Sequence, residues 1–120
     1  MTEDDFREVL LAFEGVEERA HMGHPDFRLH GHIFASLMAD GVRANVRLAP
    51  EEQAAFMAES PRTFTAAAGA WGRQGWTTIQ LPAANESTVR GACVLSWQAA
   101  VAAPPRKPPR PRRQASGVRR

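Results

Sequence analysis

Apolar positions along this chain change their period several times, and each change marks an element. Phe6, Val9, Leu10 and Phe13 recur at helical spacing behind Thr2, which with Asp5 forms a capping-box-like start, and Gly15 supplies a stop. A first helix is predicted there. From about Ala20 to Leu48 the period shortens to two. Phe27 and Leu29 alternate with Arg28 and His30; Ile33, Ala35 and Leu37 alternate with His32, Phe34, Ser36 and Met38. Val42, Ala44, Val46 and Leu48 then alternate with Arg43, Asn45 and Arg47, behind an Asp40-Gly41 hairpin signal. Gly31 makes either a turn between two strands or a bulge inside one long strand.

Pro50 followed by Glu51 and Glu52 reads as the first turn of a second helix, with Phe56 and Met57 as its buried side and Ser60-Pro61 as its end. Pro61 to Gly75 reads as a long connection and the candidate functional loop. Trp76 to Leu81 forms a further strand, with Thr77, Ile79 and Leu81 on one face and Trp76, Thr78 and Gln80 on the other. Asn85 caps a last helix, from about Glu86 to Val101, whose stripe is Val89, Ala92, Cys93 and Trp97. No internal repeat is visible.

A chain of 120 residues fits one domain with a modest core. Its formal charge of +2 conceals two unlike regions. Residues 103 to 120 carry seven of the fifteen basic groups (Arg106, Lys107, Arg110, Arg112, Arg113, Arg119 and Arg120) and no acid. Residues 1 to 102 are left with eight basic against thirteen acidic groups, a net of −5. The terminal segment also holds five prolines and almost nothing apolar, so a domain over 1–102 and a disordered Pro/Arg-rich tail over 103–120 are expected. That tail can hold phosphates by counterion release, or serve as a solubilising extension with no specific partner. The lone Cys93 forms no internal disulfide. An acidic start and the lack of a long apolar run point to a cytoplasmic protein without a membrane partner.

Two glycine-hinged motifs stand apart from ordinary packing: His21-Met22-Gly23-His24-Pro25-Asp26-Phe27-Arg28 and Trp71-Gly72-Arg73-Gln74-Gly75-Trp76. Together with Gly15-Val16-Glu17-Glu18, Ile33-Phe34-Ala35 and Leu48-Ala49-Pro50-Glu51-Glu52-Gln53, in this order, they resemble the bacterial MmcQ/YjbR-like family over roughly Phe6 to Ala103. The resemblance implies a small α+β domain with a CyaY-like (bacterial frataxin-like) antiparallel sheet and helices packed on one face. It also implies DNA binding, the description such proteins commonly carry. Where many relatives place serine before the Pro-Glu-Glu, this chain has Ala49, so the second helix loses a side-chain cap worth about 1 kcal/mol.

If Leu29, Ile33, Leu37, Val46 and Ile79 face the helices, alternation puts Arg28, His30, His32, Phe34, Ser36, Met38, Arg43, Asn45, Arg47, Trp76, Thr78 and Gln80 on the other side. That side carries no carboxylate. The expected function is non-catalytic binding of double-stranded DNA, with Arg28, Arg43, Arg47 and Arg73 on phosphates, Trp76 or His30 adding a ring contact, Asn45 beside them, and the tail adding sequence-independent affinity. A protein- or small-ligand-binding module using the same face is the alternative, and a plainly solvated face is open as well. Trp71 and Trp76 either close the core edge or present a stacking surface beside Arg73. His21, His24, His30 and His32 lack the spacing of a metal site, and no metal or cofactor is expected. Cys93 reads as a buried thiol, and without a nucleophile motif or phosphate-binding loop no enzymatic activity is expected.

Overall fold

The computed structural model describes residues 1–105. Residues 106–120, most of the expected tail, lie outside the described residues. The elements run α1 (Glu3–Leu11), β1 (Glu17–His21), β2 (His24–Leu29), β3 (His32–Leu37), β4 (Arg43–Arg47), α2 (Pro50–Glu59), β5 (Phe64–Ala66), α3 (Gly69–Arg73), β6 (Trp76–Gln80) and α4 (Glu86–Ala102). One antiparallel sheet in the order β1-β2-β3-β4-β6-β5 holds all six strands, giving an α+β fold.

Local chemistry sets the ends of the elements. Thr2 Oγ1 accepts from the Asp5 amide at 3.1 Å and Asp5 accepts from the Thr2 amide at 2.9 Å, closing the capping box of α1. Asn85 caps α4 by accepting from the Thr88 amide. Ala49 has no such oxygen, and α2 keeps only the return half of its box, in which Glu52 accepts from the Ala49 amide at 3.0 Å. Both hairpins of the β1–β3 meander turn on two residues with positive φ: Met22 (54°) with Gly23 (82°), and His30 (51°) with Gly31 (84°). That pairing is the signature of a turn whose twist matches the strands it joins. Gly31 therefore makes a turn, and His30 stands in it, exposed, instead of on the sheet face.

The core lies between the sheet and helices α1 and α4. Phe6, Phe27, Phe64, Leu10, Leu37, Ile79 and Val46 are fully buried, each contributing roughly 1.5–3 kcal/mol. Phe6 of α1 meets Phe27 of β2 edge to face at 6.0 Å. On its outer side α4 presents Trp97, stacked on Phe13 and donating its indole N–H to the Glu14 carbonyl.

Alternation fails at one place. Phe27 pairs with Ala35 but Arg28 pairs with Ile33, so β3 carries one residue more than β2 opposite this step. The bulge turns Phe34 into the core, at 3% exposure, and leaves Ile33 half-buried on the other face. Phe34 is thus not on the open face, and Ile33 takes its place there. The buried Ser96 hydroxyl of α4 donates to the Phe34 carbonyl at 3.0 Å, satisfying a backbone acceptor beside the distortion.

The remaining differences are additions and shorter ends. β1 is a strand without apolar alternation in Glu17-Glu18-Arg19-Ala20-His21, so the sequence pattern does not predict it; it is an edge strand paired to β2. The connection from Pro61 to Gly75 contains β5 and α3, Leu81 leaves the strand for a 3-10 turn, and Val42 lies before β4 and is exposed. Phe56 and Met57 are half-buried, with Phe56 against Phe64 at 5.0 Å.

Replacing Phe34 by alanine should cost about 3–5 kcal/mol in urea unfolding and Ile33→Ala about 1 kcal/mol. Near-equal costs would contradict the bulged register.

Candidate functional site

The tryptophan motif is held by two close backbone approaches. Gly75 has φ +103°, and a Cβ there would stand 1.8 Å from the Leu48 carbonyl oxygen; a Cβ on Gly72 would stand 2.0 Å from that of Ala67. Only glycine lets α3 and the start of β6 lie this near their neighbours. Gln53 of α2 reinforces the junction, its Nε2 lying 3.1 Å from the Gly72 carbonyl, 3.0 Å from the Trp76 carbonyl and 3.1 Å from Thr77 Oγ1. Trp71 lies on the helix that these contacts fix and stands outside the core. Its ring is 63% exposed and stands edge to face with Trp76, centroids 6.3 Å apart at 75°.

Strand register lays out the uncovered face in rows. Asp26, Ser36, Asn45, Thr78 and Thr65 are successive cross-strand partners along the middle row. Thr78 donates to Asn45 Oδ1 at 2.8 Å, and Asn45 Nδ2 lies 3.4 Å from Ser36 Oγ. Towards one end of the strands lie Arg28, Ile33, Arg47 and Trp76; towards the other lie His24, Met38, Arg43 and Gln80. Two hollows share the Ser36–Met38–Asn45 floor. One, of about 430 Å³, is lined also by His24, Asp26 and Ile33; the other, of about 340 Å³, is closed by Ala67, Ala68, Trp71 and Trp76.

Charge on this face is less positive than alternation implies, because Asp26 belongs to it. Its buried carboxylate accepts from Arg28 Nε at 2.8 Å and from Arg28 Nη2 at 3.0 Å, and this hydrogen bonding raises the guanidinium's pKa. Arg43 is likewise bound by Asp40. The Asp40 carboxylate accepts from the Val42 amide and from Arg43, which together lower its pKa. Among the described residues no acid pairs with Arg47 or Arg73, both exposed. Of the seven residues singled out in the sequence, Arg28, Arg43, Asn45, Arg47 and Trp76 share the face, Arg73 sits on α3 beside it, and His30 is apart in its turn. For Trp71, which the sequence places either at the core edge or on a stacking surface, the structure shows the surface position.

The YjbR family model matches residues 11–99. The chain belongs to the YjbR family. The Deinococcus radiodurans protein DR2400, a DUF419-domain protein of known crystal structure, superposes with a TM-score of 0.72 at 15% identity, over 84% of this chain and 79% of that one. At that identity the likeness carries the fold alone. No curated protein matches the sequence.

His32 Nε2 hydrogen-bonds the Pro104 carbonyl. No group of three histidine, cysteine, aspartate or glutamate side chains among the described residues is placed to hold a metal ion. Burial pushes the Cys93 thiol up to about 12. Among the described residues no helix is long and apolar enough to cross a membrane.

Two outcomes follow for the YjbR domain in solution. Gly75→Ala should destabilise it by more than about 2 kcal/mol in urea unfolding, since a Cβ must displace backbone rather than a side chain. Cys93 should resist thiol reagents until the domain unfolds. Its folded thiol lies above the unfolded one, so its contribution to stability is complete below about pH 9 and declines as pH rises towards about 12.

Proposed function

We propose that this YjbR domain is a non-catalytic binding module that holds single-stranded nucleic acid at the Trp71–Trp76 end of its open sheet face. The observation that carries this reading is the exposed Trp71 ring, braced by Trp76, whose cross-strand partner Arg47 has no acidic partner among the described residues. An exposed indole offers a base a stacking surface whatever its identity, and Arg47, opposite Trp76 in the sheet, and Arg73, at the end of α3, supply phosphate contacts. Asn45 adds an amide donor on the floor between Ser36 and Thr78, within reach of a splayed base edge.

Duplex binding across the whole face fits less well. A duplex needs a broad row of free cations, and Arg28 and Arg43 are each held by an acid while the body carries a net of −5. A protein or small-ligand partner is the second reading. It is favoured by the apolar walls that Met38, Ala67 and Ala68 give the 340 Å³ hollow.

Titration of the full chain with an oligothymidylate of about 12 nucleotides, followed by tryptophan fluorescence, tests the reading. Trp71→Ala, Arg47→Ala and Arg73→Ala should each weaken binding about tenfold, and Arg28→Ala and Arg43→Ala less than about threefold. Preference for a duplex of the same length, or indifference to Trp71, would contradict it.

A further inference from the structure

The larger of the two hollows on the open face has a wall that the Trp71–Trp76 hollow lacks. Asp26 lines this space of about 430 Å³ although it is only 3% exposed. Burying a carboxylate is costly unless it is paired, and here the pair is Arg28, whose Nε and Nη2 donate to Oδ1 and Oδ2. Arg28 is not among the residues that line the hollow. The pair therefore brings acceptor oxygens to the wall with their charge already balanced. A carboxylate offers about four acceptor positions, more than Arg28 fills, and no other donor among the described residues reaches it. Ser36 and Asn45 stand beside it. Thr78 donates to Asn45 Oδ1 at 2.8 Å, which turns Asn45 Nδ2 towards Ser36, where its contact with Oγ is long at 3.4 Å. N–H groups are thus left on the floor. Ser36, Met38 and Asn45 also line the hollow closed by Trp71 and Trp76, so the two spaces adjoin.

We infer that the Asp26 hollow is a second base subsite, one that takes a nucleobase carrying an exocyclic amino group: cytosine, adenine or guanine in preference to thymine or uracil. This rests on the reading of the open face proposed above and adds to it the identity of the bases. An ionised carboxylate only accepts hydrogen bonds, so it favours an amino group and meets the carbonyls of thymine or uracil with like partial charge. The ring nitrogen or carbonyl that adjoins the amino group meets the Ser36 hydroxyl or the Asn45 N–H groups. Ile33 and Met38 supply apolar surface for the ring, the methionine sulfur suiting an aromatic edge. Because Arg28 balances Asp26, the carboxylate adds no net charge to oppose the strand's phosphates. Stacking on Trp71 is indifferent to base identity, so a preference among bases arises at Asp26.

The test compares oligomers of deoxycytidine and of deoxyuridine, each of about 12 nucleotides, on the full chain at neutral pH. Their bases match in size and differ where an amino group replaces a carbonyl. Wild type should bind the cytidine oligomer about tenfold more tightly, the effect of one hydrogen bond to a charged group. Asp26→Asn, whose amide suits a carbonyl as well as an amine, should bring the two affinities within about twofold of each other. It also frees Arg28, so the ratio is the readout. Ala39→Phe leaves the ion pair intact and fills the hollow from an exposed position; it should equalise the two oligomers with the uridine oligomer bound as by wild type. Free deoxycytidine monophosphate, which has no linked base for Trp71, should compete only at concentrations at least about a hundredfold above the oligomer's. Equal affinity of the wild type for the two oligomers, or a preference that survives in either variant, overturns the inference. So does a monophosphate that competes as well as the oligomer, since that puts a free nucleotide in the hollow instead of a strand. Trp71→Ala separates the subsite from the reading it rests on: both oligomers should weaken about tenfold with their ratio kept. Equal affinities that still fall with Trp71→Ala sink the subsite alone, whereas oligomers indifferent to Trp71→Ala sink the strand reading and the subsite with it.

Discussion

A sheet covered on one side must assign every side chain to oil or to water, and in this domain the assignment turns on the extra residue in β3. Were the strand regular from His32 to Leu37, Phe34 would stand in solvent and Ile33 in the core. The bulge between the Phe27–Ala35 and Arg28–Ile33 pairs resets the phase, so Phe34, Ala35 and Leu37 are all buried. α4 meets the distortion with the Ser96 hydroxyl, and the local break in pairing leaves no acceptor stranded. The composition of the open face follows: Ile33 and Met38 flank a floor of Ser36, Asn45 and Thr78.

A second constraint acts at the other side of the sheet. Glycines at 72 and 75 let α3 press against the backbone of Ala67 and Leu48, while Gln53 joins α2 to the same turn. Trp71 sits on the helix so fixed, with its ring outside the core and edge to face with Trp76. Ion pairing separates the arginines: Arg28 and Arg43 are tied to Asp26 and Asp40, whereas among the described residues no acid pairs with Arg47 or Arg73.

Much of this architecture is legible in the residues alone. The cap at Thr2–Asp5, the Asp40-Gly41 turn, the alternation of β4 and the cap at Asn85 each rest on local chemistry, and each is present. What local pattern misses is set by distant partners. β1 is polar throughout and becomes a strand only because the Met22-Gly23 turn folds it onto β2. β5 and α3 are too short to show a period. Asp26 follows His24-Pro25 in a turn-like motif, and its place on the open face depends on the pairing of β2 with β3. His30 looks like a face residue by parity and is removed from it by a positive φ. Of the candidate site, the arginines of β4 and the Trp76 position are readable, but the exposure of Trp71 shows only once α3, too short to have a period, is placed at the sheet.

Nitrogen-resolved NMR of the labelled full chain during titration with an oligothymidylate is the most direct measurement of the central claim, that the tryptophan end of the uncovered face is where a ligand rests. The account predicts that the indole N–H signals of Trp71 and Trp76 and the side-chain amide of Asn45 move first and together, with the indole of Trp97 unmoved. Shifts confined to α1, or to residues 106–120 with both face indoles unchanged, would contradict it.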